Sequence, residues 1–250
     1  MNSYTAGIIV IGDEILSGRT QDSNSNFIAK NLIKEGIKLE EIVVIKDNKK
    51  TIIDKVQNYS SKYSYVFTTG GIGPTHDDIT SESISEAFNL KYVINEDAFN
   101  ILEKYYPKGE FNESRQRMAK MPNGSELLLN PMTAAPGFRI KNVYVLPGVP
   151  EIMQIMFLEL IKKIKKGKPK LVITINTDLY ESKIAIYLKE IQGKYKNSSI
   201  GSYPYFNLVA KTGGVNIVVS SWDMSSIQPV VDDIVNMIKL NGGKSSIVWY

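Results

Sequence analysis

The chain has no cysteine and a single histidine among its 250 residues. Without thiols there is no disulfide framework, no thiolate nucleophile and no Cys-ligated zinc. With His76 as the sole imidazole, His-rich metal sites are excluded, and a His-based triad has one candidate base. His76 itself reads as a solvent-facing turn residue. Any metal must then bind mainly to oxygen, which favours hard, Mg²⁺-like ions. No apolar run approaches the roughly 20 residues that span a bilayer, so no membrane is expected. The first strand is predicted from about Thr5, leaving no room for a signal peptide, and a cytoplasmic location is the expectation. The net charge of +4 is small and most lysines are scattered, so a nucleic-acid partner is not implied.

What is present begins with alternation. The nearly continuous apolar run Ile8 to Ile11 suits a strand buried on both faces of a parallel sheet; Leu39 to Ile45 and Tyr65 to Thr69, the latter opening with the apolar Tyr65-Val66-Phe67, read as the second and third strands. Between and after them, Asn24 to Glu35, Lys49 to Tyr59 and Ser81 to Phe88 carry helical spacing. Strand–helix alternation predicts an α/β fold with helices on both sides of a mostly parallel sheet. Helices are also predicted over Glu96 to Tyr106 and Asn112 to Met121. Arg115, Gln116 and Arg117 on the latter could bind phosphate or ribose, or form a solvated face. Short strands follow to Leu146, then a helix from Glu151 to about Ile164. The lysine-rich stretch from Lys162 to Lys170, broken by Gly167 and Pro169, reads as a boundary. The division expected is residues 1–166 and 171–250. The second part, with β-α-β-β-α order, reads as a small α+β domain.

The most informative stretch runs from Thr68 through Gly70, Gly71, Gly73, Pro74, Thr75, His76, Asp77 and Asp78 to Thr80. Glycines let backbone approach a ligand, and a following helix offers free N–H groups to a phosphate. Thr80 reads as the N-cap of that helix. The pattern is neither a Walker A loop nor a dinucleotide fingerprint, since His76 stands where the last glycine would be. Two carboxylates beside a phosphate site imply a cation between them. In an open parallel sheet, ligands bind at the carboxyl ends of the strands. Gly12 to Gly18, Gly70 to Thr80 and Pro147 to Glu151 would then share one edge. Asp13, Glu14, Asp77, Asp78 and Glu151 would face one cleft, suited to a metal-bound diphosphate.

These three ordered stretches, Gly12-Asp13-Glu14 to Gly18, Thr69 to Thr80 and Leu146 to Glu151, resemble the molybdopterin-binding-like domain of the CinA family, itself related to MoaB and MogA. They are also similar to the N-terminal domain of eukaryotic FAD synthases. Residues 171–250 resemble the small domain that follows; the C-terminal deamidase domain of full-length CinA proteins has no counterpart. The resemblance implies a three-layer MoaB/MogA-like domain that hydrolyses a nucleotide diphosphate linkage, in ADP-ribose or FAD, supported by a divalent metal (Mg²⁺ or Co²⁺) and potassium. The alternatives are a molybdopterin-binding or adenylyl-transfer protein, or a non-catalytic nucleotide-binding protein. Asp13 and Glu14 match the family's Gly-Asp-Glu, and Asp78 and Thr80 its Asp-x-Thr. Asp13 and Asp78 are the expected catalytic residues, with Asp77 joining them as metal ligands. Gly12, Glu14, Thr69, Gly70, Gly71, Gly73, Pro74, Thr75, Thr80, Gly148 and Pro150 are the expected substrate contacts. Ile152 departs from the Glu-Met pair that commonly ends the third motif. A homo-oligomer is expected by analogy.

Overall fold

A computed structural model describes residues 4–207 and 212–249, and the chain divides into two compact units, Met1–Gly167 and Lys168–Tyr250. In the first unit, β1 (Tyr4–Ile11) leads through the one-turn helix α1 (Asp13–Leu16) and α2 (Asn24–Lys34) to β2 (Ile37–Ile45). Next come α3 (Lys49–Lys62), β3 (Tyr65–Thr69), α4 (Thr80–Ala87), β4 (Tyr92–Ile94), α5 (Glu96–Tyr105) and α6 (Glu113–Gln116). The unit ends with β5 (Lys120–Pro122), β6 (Glu126–Leu128), β7 (Gly137–Ile140), β8 (Val143–Leu146) and α7 (Pro150–Ile161). The main sheet has the order β2-β1-β3-β8-β7-β6. β2, β1, β3 and β8 are parallel; β7 and β6 run antiparallel at one edge.

Alternation along β1 explains the layers. Ile9 and Ile11 pack with Ile52, Val56 and Tyr59 of α3, Ile84 of α4 and Leu102 of α5. Ile8 and Val10 face the other way, onto Ile28 and Leu32 of α2 and Met153 and Phe157 of α7. The sheet is thus covered on both faces, the expected three-layer α/β arrangement. Each fully buried side chain of this size contributes about 1.5–3 kcal/mol. Phe67 of β3 is completely buried and meets Phe157 edge-on, with ring centroids 5.3 Å apart. Asn48 caps α3 by accepting from the Thr51 amide at 3.0 Å.

Several boundaries differ from the sequence expectation. Thr80 is not the N-cap of α4. Ile79 holds that place, and Thr80 is the first helical residue, fully buried with no capping bond. The helix expected over Asn112 to Met121 ends early: α6 stops at Gln116, Arg117–Ala119 is a 3₁₀ turn, and Met121 lies in β5. The reason is pairing, because β5 joins β4 in a separate two-stranded sheet. α7 begins at Pro150 rather than Glu151, with proline's fixed φ suited to the first turn.

The second unit runs β9 (Leu171–Thr177), α8 (Glu181–Lys194), β10 (Ser198–Asn207), β11 (Thr212–Ser221), α9 (Ile227–Leu240) and β12 (Ser245–Trp249). Its antiparallel sheet has the order β10-β11-β9-β12. Ile173, Ile175, Ile217 and Val219 point to one face, where Ile184 and Leu188 of α8 and Val230 and Ile234 of α9 cover them.

Candidate functional site

Because β1, β2, β3 and β8 are parallel, the loops after all four emerge on one edge. They enclose a cleft of about 500 Å³ together with the stretch from Asn130 to Pro136. That volume lies in the range of small-molecule sites. Its lining includes the carboxylates of Glu14, Asp47, Asp77 and Asp78 and the apolar side chains of Ile72, Met118, Ala135, Pro136, Val149 and Ile152. A ligand with both a charged group and a flat apolar group matches that lining.

The glycine turn forms the floor. Gly70 has φ +104°, and a Cβ there would stand 2.1 Å from the Ile11 carbonyl oxygen. Gly71 has φ +69°, and its Cβ would meet Thr80 Oγ1 at 2.2 Å. Side chains are barred at both, so backbone is exposed to the cleft. The Thr80 amide returns to the Gly71 carbonyl at 3.0 Å and closes the turn onto α4. The amides of Gly71, Ile72 and Gly73 have no partner among the described residues. Three consecutive amides without partners in a glycine turn leave donors available to an anion. Thr80 Oγ1, directly beneath Gly71, and Thr69 Oγ1 are likewise buried without a partner.

Asp78 shapes the turn as well as lining the cleft. Its Oδ2 accepts from the Thr75 amide at 2.8 Å and from the Thr75 hydroxyl at 2.5 Å. Asp77 is exposed, and its carboxyl lies below the ordinary carboxylate range, first through the Thr75 hydroxyl and then through backbone and nearby positive charge. Glu14 folds back over Gly12, where a Cβ would meet its carboxylate oxygens at 2.5 and 2.7 Å.

Asp47 was missed in the sequence reading. It stands two residues beyond β2, on the same carboxyl edge as the three recognised loops. The rule that pointed to the loops after β1 and β3 applied equally to Lys46 to Asn48, but no glycine drew attention there. Asp47 Oδ2 accepts from the Asp13 amide at 3.0 Å. Its Oδ1 lies 3.5 Å from where a Gly71 Cβ would stand. Burial raises its pKa above the ordinary carboxylate value. The negative charges of Asp13, Glu14 and Asp77 push it further up, against the Asp13 amide.

Of the expected site residues, Gly12, Glu14, Gly70, Gly71, Gly73, Asp77, Asp78, Gly148 and Pro150 line the cleft. Thr69 and Thr80 lie buried beneath it, and Pro74 and Thr75 form its shoulder outside the lining. Asp13 is exposed and does not line it; its amide, not its carboxylate, holds Asp47. Glu151, expected in the cleft, is exposed in the first turn of α7, and Ile152 lines the wall instead. Arg115 is engaged elsewhere, paired with Glu110 at 3.0 Å and stacked on Tyr106. Asp13, Asp77 and Asp78 do not converge. Among the described residues, no three His, Cys, Asp or Glu side chains are placed to hold a metal ion. The donors suit a hard cation in kind, but the protein alone makes no cage. A cation here would need oxygens from its ligand.

Residues 7–166 match the family described as "Probable molybdopterin binding domain". The chain belongs to that family. Residues 169–243 match the middle domain of FAD synthase. A protein of Archaeoglobus fulgidus is 36% identical over 90% of this chain and 93% of its own length. A "Probable FAD synthase" of Caenorhabditis elegans is 35% identical over 80% of this chain, which spans 44% of that protein. The crystal structure of CinA from Thermoplasma acidophilum, a protein of unknown function, superposes with a TM-score of 0.61. Its sequence identity is 32%, and the match covers 65% of this chain and 98% of that one. This molybdopterin-binding-domain family therefore accounts for the first unit, and the cleft lies wholly within it.

Proposed function

We propose that the cleft binds a nucleotide through its diphosphate and hydrolyses the anhydride, with ADP-ribose or FAD as the substrate class. The observation that carries the reading is the presence in one cleft of the unpaired Gly71–Gly73 amides, half-buried Asp47 and an apolar set of Ile72, Met118, Pro136 and Val149. Likeness to FAD synthases in both units supports a flavin or adenine nucleotide.

The three amides hold the oxygens of one phosphoryl group and stabilise the charge that grows there during attack. Asp47, with its raised pKa, accepts the proton of a water. The water oxygen bonds to phosphorus as the bridging P–O bond breaks. The second phosphate leaves with the bonding pair, and two monophosphates result. Ile72, Met118, Pro136 and Val149 receive the flat ring. A divalent cation bound with the diphosphate would supply charge neutralisation, and Asp47, Asp77 and Asp78 are the cleft carboxylates that would help to hold it. Asp78 fixes the turn that presents the amides.

A second reading, binding or adenylylation of molybdopterin, draws on the family description of residues 7–166 and uses the same cleft. Incubation with ADP-ribose, FAD, and ATP plus molybdopterin, with Mg²⁺ or Co²⁺ and K⁺, followed by chromatography, separates the two. Formation of AMP from ADP-ribose or FAD, lost in Asp47→Asn, is the expected result. Tight binding without turnover of either dinucleotide overturns hydrolysis in favour of binding. An adenylylated pterin product establishes the second reading.

A further inference from the structure

The sheet of the second unit has one face covered by α8 and α9 and one face open. Register and alternation assign the open face. Tyr203 pairs with Asn216 and Tyr205 with Gly214, while Asn216 pairs with Asn176. The Asn176 amide donates to Ser246 Oγ at 3.3 Å, joining β9 and β12 across the same face. Trp222 continues β11 in step with Ser220, opposite Lys170, whose ammonium lies 5.8 Å from the Trp222 ring centroid. Tyr203, Tyr205 and Trp222 are 59%, 45% and 36% exposed.

Two glycines set how the tyrosines lie. A Cβ on Gly201 would meet the Tyr203 ring at 2.9 Å, and one on Gly214 would meet the Tyr205 hydroxyl at 2.8 Å. The Tyr203 ring therefore rests over Gly201, where a side chain would stand, and the Tyr205 hydroxyl reaches the space over Gly214. Between and beside the rings are uncharged hydrogen-bonding groups, Thr174, Asn176, Asn216, Ser220 and Ser246, together with Val172, Val218 and Val248. No Asp or Glu falls on this face among the described residues. The nearest carboxylates beyond its strands are engaged: Asp178 accepts from the Lys244 amide, and Asp223 from the Ser225 amide and hydroxyl. Lys168 and Lys170 lead into β9 from the lysine-rich stretch that the cleft does not use.

From this we infer that the open sheet face binds single-stranded nucleic acid, stacking unpaired bases on Tyr203 and Tyr205 while Lys168, in the lysine-rich stretch that leads into β9, meets phosphate. Exposed aromatics on a four-stranded sheet, amide and hydroxyl groups for base edges, and local positive charge are what such binding uses. The small net charge argues against a large electrostatic footprint, and the footprint here is local. The site is separate from the cleft and does not depend on its chemistry.

The test is fluorescence anisotropy of end-labelled ten-nucleotide oligo-U and oligo-dT titrated with the full chain at 50 and 200 mM salt. Binding on the order of 1–100 µM, weakened by salt, is expected. Tyr203→Leu and Tyr205→Leu keep apolar cover over the glycines but remove the stacking surface, and each should weaken binding about tenfold. Melting curves of both variants should match wild type, and a duplex of equal length should bind much more weakly. No anisotropy change up to 100 µM protein overturns the inference. So does binding that both variants retain in full, which would assign it to the lysines alone. Sedimentation showing that wild type pairs through this face, and that Tyr203→Leu separates the pair, would replace nucleic acid with a second copy.

Discussion

Gly71 offers the sharpest test of the turn's construction. Its φ of +69° is a conformation that costs a residue with a Cβ about 1–2 kcal/mol. The added methyl also meets Thr80 Oγ1 at 2.2 Å, well inside contact distance, and Thr80 is fully buried in the first turn of α4. Relieving that overlap moves the helix start or the turn, an overpacking cost of about 1–3 kcal/mol. Gly71→Ala should therefore lose about 3 kcal/mol and lower the melting temperature by about 6–12 °C. Thr80→Ala removes the opposing oxygen, which has no partner to lose. The double variant Gly71→Ala/Thr80→Ala should recover the steric part and keep only the backbone part. Scanning calorimetry of the four proteins measures both terms. If Gly71→Ala melts within 2 °C of wild type, or the double variant is no more stable than Gly71→Ala, the geometry assigned to the turn is wrong.

Gly73 differs, since its φ is ordinary and its Cβ would meet Asp78 Oδ2 at 2.7 Å. Gly73→Ala should displace the Asp78–Thr75 contact, leave melting within about 3 °C and weaken nucleotide binding at least tenfold by calorimetric titration. Asp47→Asn should abolish hydrolysis yet stabilise the protein near neutral pH by about 2 °C. A raised carboxyl pKa means that the folded state holds its proton more tightly. The ionised group then destabilises once pH passes the unfolded value, so the gain should fade below about pH 4 in melts across pH 3–8. Glu41 is the opposite case: the Tyr63 hydroxyl, then Lys62 and Tyr59, hold its pKa at about 2. Its stabilisation is complete above the unfolded value near 4.5 and is lost as pH falls toward 2. Glu41→Gln should flatten acid unfolding in that window, followed by circular dichroism.

The layered part of the fold was legible because its strands are buried on both faces. Ile8 to Ile11 and Tyr65 to Phe67 are apolar without a break, as strands of a parallel sheet covered on both faces are. β4 and β5 were not legible, since three-residue strands have no period to detect and Met121 carries helical neighbours. β12 begins Ser245-Ser246 and lies at a sheet edge, where the apolar signal is weak. In the site, the glycines announced themselves and the carboxylates were found by adjacency to them. Asp47 has no such neighbour in sequence; only the β1–β2 pairing carries it to the amide of Asp13. Asp13 and Glu151 show the converse, since acidic residues in the right loops still turn to solvent when a helix begins beneath them.

Gly70 sits where three loops touch. The Ile11 carbonyl at the end of β1 fills the place a Gly70 Cβ would take, and Gly148 from the loop after β8 approaches the Gly70 Cα so closely that a Cβ on Gly148 would stand 3.4 Å away. Asn24 of α2 fastens the Gly148 carbonyl at 2.8 Å. The contacts of Gly70 itself are main chain against main chain, so a change of side chain in one loop does little to compensate for a shifted path in another. The three motifs are consequently one heritable module. A graft that takes the glycine turn from a distant relative and leaves its two companions behind should not assemble, whereas all three moved together should. In this fold the substrate edge would diversify by exchange of the whole set, with point changes confined to the walls.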